Sequence, residues 1–306
     1  MRALVVGWPS FLHGEATAGD VAAMRHVADR LRRSGIDCDT AWSPGFLPGQ
    51  TGLEAAPAEH YTDLVFVCGP AHGDQVLELH RRYARCRRTA VGVSVIDGTD
   101  PAVTGFHRVL ARDGPGRSPT TDLAARRGTD PVPVVGVVLA PQQPEYGDRR
   151  EHSEVHRALR RWISQVDCAP LELDSRLATD EWRRCRTPEQ FASLVGRTDL
   201  VLTTRLHGLV FGLSNDVPVL AVDPVTGGGK VSAQAWAWDW PALLGPAEAR
   251  LPGGEPARAL EHWWRWCTSP EARRLAHERA AERADSAEPL LTELVDRLRT
   301  ADQLAD

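Results

Sequence analysis

Short apolar runs alternate along this chain with stretches whose apolar residues recur at helical spacing, the pattern of parallel sheets assembled from βαβ units. Arg2 to Val6 reads as the first strand. The helix after it starts near Asp20, with Val21, Met24, Val27, Ala28 and Leu31 at helical spacing and Gly35 as its stop. Further strands are expected at Cys38 to Trp42, Leu64 to Cys68 and Ala90 to Val95, the last two separated by a helix from Asp74 to near Ala84. From Ile96 to Asp130 the chain turns rich in Gly, Pro, Thr and Asp, with one strand at Arg108 to Ala111, and a domain boundary is expected there. A second series follows: strand Val132 to Leu139, a helix carrying Val155, Leu159, Trp162 and Ile163, then strand Leu171 to Leu173. A helix near Phe191 to Val195, strand Asp199 to Leu202, helix Arg205 to Ser214 and strand Val217 to Val222 complete it. The 306 residues suffice for two cores at ~150 per domain. The reading is an α/β protein of two Rossmann-like domains, residues 1–130 and 131–268, with a C-terminal helical segment, 269–306. That segment opens with Ser269, Pro270 and Glu271 and is divided at Pro289.

Composition removes several classes of function. No stretch approaches the ~18 to 20 consecutive apolar residues of a membrane span, and MRALVVGWPS lacks the apolar core of a signal peptide, so a cytoplasmic location is expected. A net charge of −5 argues against nucleic acid as a partner. Arg273, Arg274, Arg279 and Arg283 lie beside Glu271, Glu278 and Glu282, which reads as a solvated face of mixed sign rather than a basic patch. The six cysteines contain no CxxC pair and read as free thiols; no His/Cys cluster or carboxylate pair stands at ligand spacing, so no metal is expected.

Ligands of open α/β sheets bind outside the carboxyl ends of the strands, so the loops there carry the argument. In DLVLTTRLHGLVFGLSNDVPVLAV, Asp199 to Val222, a strand runs into Thr203 and Thr204, either of which can cap a helix beginning Arg205, Leu206, His207. Two helical residues apart is ~200° around the axis. Arg205 and His207 can therefore share a ligand only in the first turn, where free N–H groups and the helix dipole favour an anion. The alternative is an ion-paired arginine and a satisfied histidine. Lys230, the only lysine, follows Gly227, Gly228 and Gly229 and reads either as a solvated loop residue or as a cation reaching that anion. Gly7 to Asp20 has neither a G-x-G-x-x-G fingerprint nor a Walker lysine. Trp236, Trp238 and Trp240 alternate as in an extended segment and Trp263, Trp264 and Trp266 sit in a helix; both groups read as packing.

The run TRLHGLVFGLSNDVPVLAVDP, followed by Lys230 and Val231, resembles the signature of the polysaccharide pyruvyl transferase family. Gly7 through Thr17, Ala18, Gly19 and Asp20 is similar to that family's first strand, glycine loop and N-x-G-D helix start, with Thr17 in place of Asn. Weaker likenesses are Cys68, Gly69, Pro70 for a second glycine loop and Leu110 to Asp113 for a V-R-D strand end. Relatives commonly carry S-x-R where this chain has Ala140, Pro141, Gln142, and Arg149 or Arg150 are the candidates to supply the missing guanidinium. The resemblance implies a glycosyltransferase-B-like pair of domains facing across a cleft and transfer of pyruvate from phosphoenolpyruvate to a hydroxylated, usually carbohydrate acceptor as a ketal. It implies no cofactor beyond that donor substrate. It assigns Arg205 and His207 to catalysis at the donor, with Thr204, Leu206, Lys230, Arg149 and Arg150 as donor-binding candidates from the C-terminal domain. On the N-terminal, acceptor side, Trp8, His13, Glu15, Asp20 and His72 are the candidates, with helix capping as the alternative for Asp20 and a plain turn for His72. A nucleotide-sugar-dependent glycosyltransferase on the same fold and a degenerate binding protein are the competing readings.

Overall fold

Every residue of Ala3–Val6 is buried, and an apolar run without polar alternation is what a strand covered on both faces requires. In the computed structural model, which describes residues 1–125, 131–139, 141, 143–249, 258–283 and 285–302, this strand, β1 (Arg2–Val6), lies inside a five-stranded parallel sheet. Its companions are β2 (Asp37–Thr40), β3 (Asp63–Val67), β4 (Arg87–Ser94) and β5 (Arg108–Asp113), in the order β2-β1-β3-β4-β5. Helices α1 (Ala18–Arg33), α2 (Asp74–Arg82) and the single turn α3 (Pro101–Thr104) connect them. Leu4 and Val6 join Leu64, Phe66, Val76 and Leu79 in one core, while Ala3 and Val5 meet Met24, Ala28 and Val67 in another. Each of the valine, leucine, phenylalanine and methionine side chains among them contributes ~1.5–3 kcal/mol by burial.

The chain divides into two compact units, Met1–Thr129 and Asp130–Asp306. The second holds β6 (Val134–Val138), α4 (His152–Ile163), β7 (Ala169–Glu172), α5 (Pro188–Val195), β8 (Leu200–Thr203), α6 (Leu206–Ser214) and β9 (Val219–Val222). After these come α7 (Lys230–Ala237), the short β10 (Leu243–Leu244), α8 (Pro246–Ala249), α9 (Arg258–Cys267), α10 (Pro270–Arg283) and α11 (Glu288–Asp302). This sheet is also parallel throughout, in the order β10-β9-β8-β6-β7. Numbered within its own unit, each sheet reads 2-1-3-4-5, the doubly wound order whose switch point lies between the first and third strands. The two parallel α/β sheets and the helical C-terminal segment are as the periodicity predicts.

Local differences have local causes. Trp236, Trp238 and Trp240 lie on and just after α7 rather than on an extended segment, because Val231 and Ala235 form the buried stripe, with Trp238 packed beside it. Trp236 is left exposed, and Trp240 is buried with its indole N–H donated to Val219 O at 2.6 Å. β10, two residues long, has no periodicity to find. Arg273 and Arg279 of α10 also reach partners outside their own helix, Asp199 at 3.1 Å and Asp239 at 2.5 Å. Among the described residues, no helix is long and apolar enough to cross a membrane.

Candidate functional site

The end of β8 is built by one hydroxyl. Thr203, fully buried and paired in register with Val138, donates through Oγ1 to Val138 O at 2.9 Å and accepts the Arg205 N–H at 2.9 Å. That bond turns the chain sharply out of the sheet. Arg205, still extended at φ −120° and ψ 133°, becomes the residue that precedes α6, and no side chain caps the helix among the described residues. The capping expected of Thr203 or Thr204 is thus corrected: the Thr203 hydroxyl is taken up before the helix starts, which leaves the N–H groups of the first turn open. The glycine after His207 has a packing reason. A Cβ on Gly208 would lie 2.2 Å from Thr203 Oγ1, and one on Gly212 would lie 2.4 Å from Val219 Cγ2, so α6 rests directly on β8 and β9.

The side chains of Arg205 and His207 have different surroundings. Arg205, 20% exposed, reaches Asp174, donating from Nη1 to Oδ1 at 3.4 Å. Burial lowers its pKa and Asp174 opposes that shift; a guanidinium stays charged regardless. His207 lies exposed, and its ring makes no hydrogen bond among the described residues. Partial desolvation, then the charges of Arg205 and Lys230, hold its imidazole below the ordinary histidine value. Both cations therefore act on one ring. Leu206 is half-buried at the helix start, and Thr204 is buried and shares a hydrogen bond with His156 Nε2 at 2.9 Å. Burial, with His152 and Arg160, pushes His156 down to about 4.

Lys230 is the first residue of α7, not part of a free loop. The buried Asp223 carboxylate accepts from the N–H groups of Val225, Gly229 and Ser232 and from Ser232 Oγ, at 2.7–3.1 Å, while Gly227 and Gly228 take positive φ to make the turn. Lys230 Nζ lies 3.3 Å from Glu145 Oε1 and 6.0 Å from the Tyr146 ring centroid, and its N–H donates to the Tyr146 hydroxyl at 3.2 Å. Arg149 sits 5.7 Å from the same ring, so Lys230 and Arg149 are brought together around Tyr146. Arg150 is exposed and bridges Val225 through its backbone. Ala140 and Gln142 lie outside the described residues.

Residues the sequence did not single out gather beside Arg205. Asp174, just past β7, also pairs with Arg176 at 2.6 Å and lies 3.9 Å from Arg184. With Leu139, Pro141, His156, Arg160, Glu172, Leu173 and Arg183 these residues line a cavity of about 470 Å³. The signal that could have found them was the arginine density between β7 and α5, set against the strand end.

No hydrogen bond or ring contact joins any two of the five acceptor-side candidates among the described residues. Trp8 packs edge-on against Phe11 at 5.6 Å, and a Cβ on Gly69 would lie 2.1 Å from its ring. Asp20 sits in the first turn of α1, where Thr17 is the cap: its Oγ1 accepts the Asp20 N–H at 3.2 Å and is 2.7 Å from Asp20 Oδ2. His72 pairs with Asp100 at 2.5 Å, His13 borders a cavity of about 180 Å³ with Glu54 and Arg82, and Glu15 is exposed. The six cysteines are free.

The doubly wound sheet places the start of α6, Arg205 and His207 at the carboxyl ends of its strands, the edge at which such sheets take ligands. Residues 148–224, about a quarter of the chain, match the model of the polysaccharide pyruvyl transferase family. The segment contains Arg149, Asp174, Arg176, Arg184, Arg205 and His207. No curated protein matches the chain. Among solved structures it is similar to the spinosyn rhamnosyltransferase SpnG complexed with thymidine diphosphate, at 12% identity over 95% of this chain and 100% of the other, with a TM-score of 0.34. The glycosyltransferase of kitacinnamycin matches at 11% identity over 97% and 98% of the two chains, with a TM-score of 0.35. The glycosyltransferase SnogD from Streptomyces nogalater matches at 15% identity over 95% and 99%, with a TM-score of 0.29.

Proposed function

We propose that the protein transfers a pyruvyl group from phosphoenolpyruvate to a hydroxylated carbohydrate acceptor, forming a ketal, with the donor held at the first turn of α6. The observation that carries this is the pairing of an open helix start with Arg205 and His207 inside the segment that matches the family. A planar guanidinium suits both anions of such a donor, and Lys230 and Arg149 add charge from the α7 side.

His207 is the general acid. It gives a proton to the methylene carbon of the donor, which becomes the methyl group; C2 turns electrophilic, the first acceptor hydroxyl adds, and the C–O bond to phosphate breaks. A second hydroxyl closes the ketal, and the two hydroxyl protons replace the one His207 gave and leave with phosphate. Partial desolvation, with the charges of Arg205 and Lys230, lowers the pKa of the free ring; a bound dianion opposes that shift and favours the charged ring as the donor arrives.

The test is ligand stabilisation of the native state, worth about 2.7 kcal/mol at a hundredfold excess over Kd. Phosphoenolpyruvate is expected to raise the melting temperature, Arg205→Ala to abolish the rise, and nucleoside diphosphates and their sugars to do little. Stabilisation by a nucleoside diphosphate with none from phosphoenolpyruvate would overturn the reading in favour of glycosyl transfer, and silence from both would leave a binding protein.

A further inference from the structure

The cavity beside Arg205 is cationic beyond what its own carboxylates neutralise. Arg160, Arg176, Arg183 and Arg184 line it against Glu172 and Asp174. Asp174 is the hub. Its carboxylate accepts from Arg176 Nε at 2.9 Å and Nη2 at 2.6 Å, lies 3.9 Å from Arg184 Nε, and takes the 3.4 Å bond from Arg205. Burial raises its pKa, but the Arg176 hydrogen bonds and the charges of Arg176 and Arg205 outweigh that and hold it below the usual carboxylate range. Arg183 stacks on Trp182 at 4.8 Å, and the exposed Arg160 of α4 makes no side-chain bond among the described residues. His156, on the same wall, is committed to Thr204. The walls are the carboxyl ends of β6 and β7, which is where a doubly wound sheet takes ligands.

We infer that this cavity is a phosphate subsite: Arg160, Arg176 and Arg184 seat the phosphoryl group of a phosphate ester, and Arg205 spans from it to the first turn of α6, where the carboxylate of the same ligand lies. Charge supports the match, since four arginines line the cavity against two carboxylates and, even with Glu181 3.8 Å from Arg183, a positive excess faces the about −1.5 to −2 of a phosphomonoester at pH 7. Shape supports it as well, because a guanidinium fork binds phosphate oxygens in pairs, and about 470 Å³ leaves room for the rest of the ester. Ala140, Pro141 and Gln142 bring no arginine from β6; the neighbouring strand end brings Arg176 and Arg184 to the cavity. That the ester is phosphoenolpyruvate rests on the pyruvyl-transfer reading; that the cavity binds phosphate does not.

The test is calorimetric titration of the full-length protein with inorganic phosphate and, separately, with phosphoenolpyruvate. Phosphate is expected to bind the native protein, to bind about tenfold or more weakly to Arg160→Gln and to Arg184→Gln, and to bind unchanged to Arg274→Gln, which removes a surface charge elsewhere. Arg160 is exposed and outside the Asp174 cluster, so its variant keeps the test alive if Arg184→Gln does not fold. No phosphate binding, or equal binding by both cavity variants and the native protein, would overturn the subsite. Phosphate that displaces phosphoenolpyruvate supports the assignment of the donor to the cavity; cavity-dependent phosphate binding with no phosphoenolpyruvate binding supports the subsite and sinks pyruvyl transfer alone.

Discussion

Arg205 is held by its own backbone turn and by Asp174, so its charge and its geometry can be separated by substitution. Arg205→Lys keeps the charge and loses the fork. We expect kcat/KM for the donor to fall by tenfold or more while unfolding free energy changes by less than about 1 kcal/mol, as befits a partly exposed pair; turnover within a few-fold of the native protein would remove Arg205 from the site. His207→Ala should lower kcat by about 10²–10⁴ and leave donor binding measurable by calorimetry, since a general acid acts in the transition state. If the variant instead unfolds, the histidine is structural. His156 titrates differently, because its folded pKa, about 4, lies below the ordinary 6.5. Between those values the unfolded chain binds more protons, so the neutral ring's contribution to stability is present above pH 6.5 and is lost as pH falls toward 4. His156→Gln, which can still bond to Thr204, should therefore be less destabilised than the native protein over that interval; parallel stability curves would refute the burial of a neutral ring.

At the scale of elements, α6 and α7 are placed by close contacts that single substitutions can test. Gly208→Ala gains helix propensity of ~0.5–1 kcal/mol but sets a methyl against Thr203 Oγ1, an overpacking that costs ~1–3 kcal/mol. The expected result is a net loss of stability in denaturant and a weaker donor response, because the helix start moves off the strand end. Asp223→Asn replaces a carboxylate facing three backbone N–H groups and one hydroxyl by an amide that cannot accept from all of them. Charge-assisted bonds are worth ~1.5–3 kcal/mol, so a loss of at least about 2 kcal/mol is expected; an unchanged midpoint would mean that the α7 start is held otherwise. These elements were readable in advance as far as their periodicity goes. The strand before Arg205, the helix after it and the apolar stripe of α4 follow from residue spacing alone, whereas the uncapped helix start at Arg205 and the helical course of Trp236 depend on contacts that spacing does not describe.

At the scale of the whole molecule, every residue assigned to the donor comes from the second unit, whose core holds Trp162 and is separate from that of Phe66. Phe66→Ala and Trp162→Ala should each cost ~3–5 kcal/mol. In scanning calorimetry phosphoenolpyruvate should raise the transition that Trp162→Ala lowers and leave the one that Phe66→Ala lowers; a single transition moved by both variants and the ligand would contradict this. The sequence by itself determined the alternation of strands and helices, the two α/β halves and the Arg205-x-His207 pair after a buried strand, because hydrophobic period and turn chemistry are properties of neighbouring residues. Only the tertiary structure decided which strands lie side by side. With β6 between β7 and β8, the loop after β7 meets the start of α6, so Asp174, Arg176 and Arg184 converge on Arg205. No local pattern encodes that convergence, because strand order is chosen by the free energy of packing the entire unit, and the charges on distant loops are brought together only as its consequence.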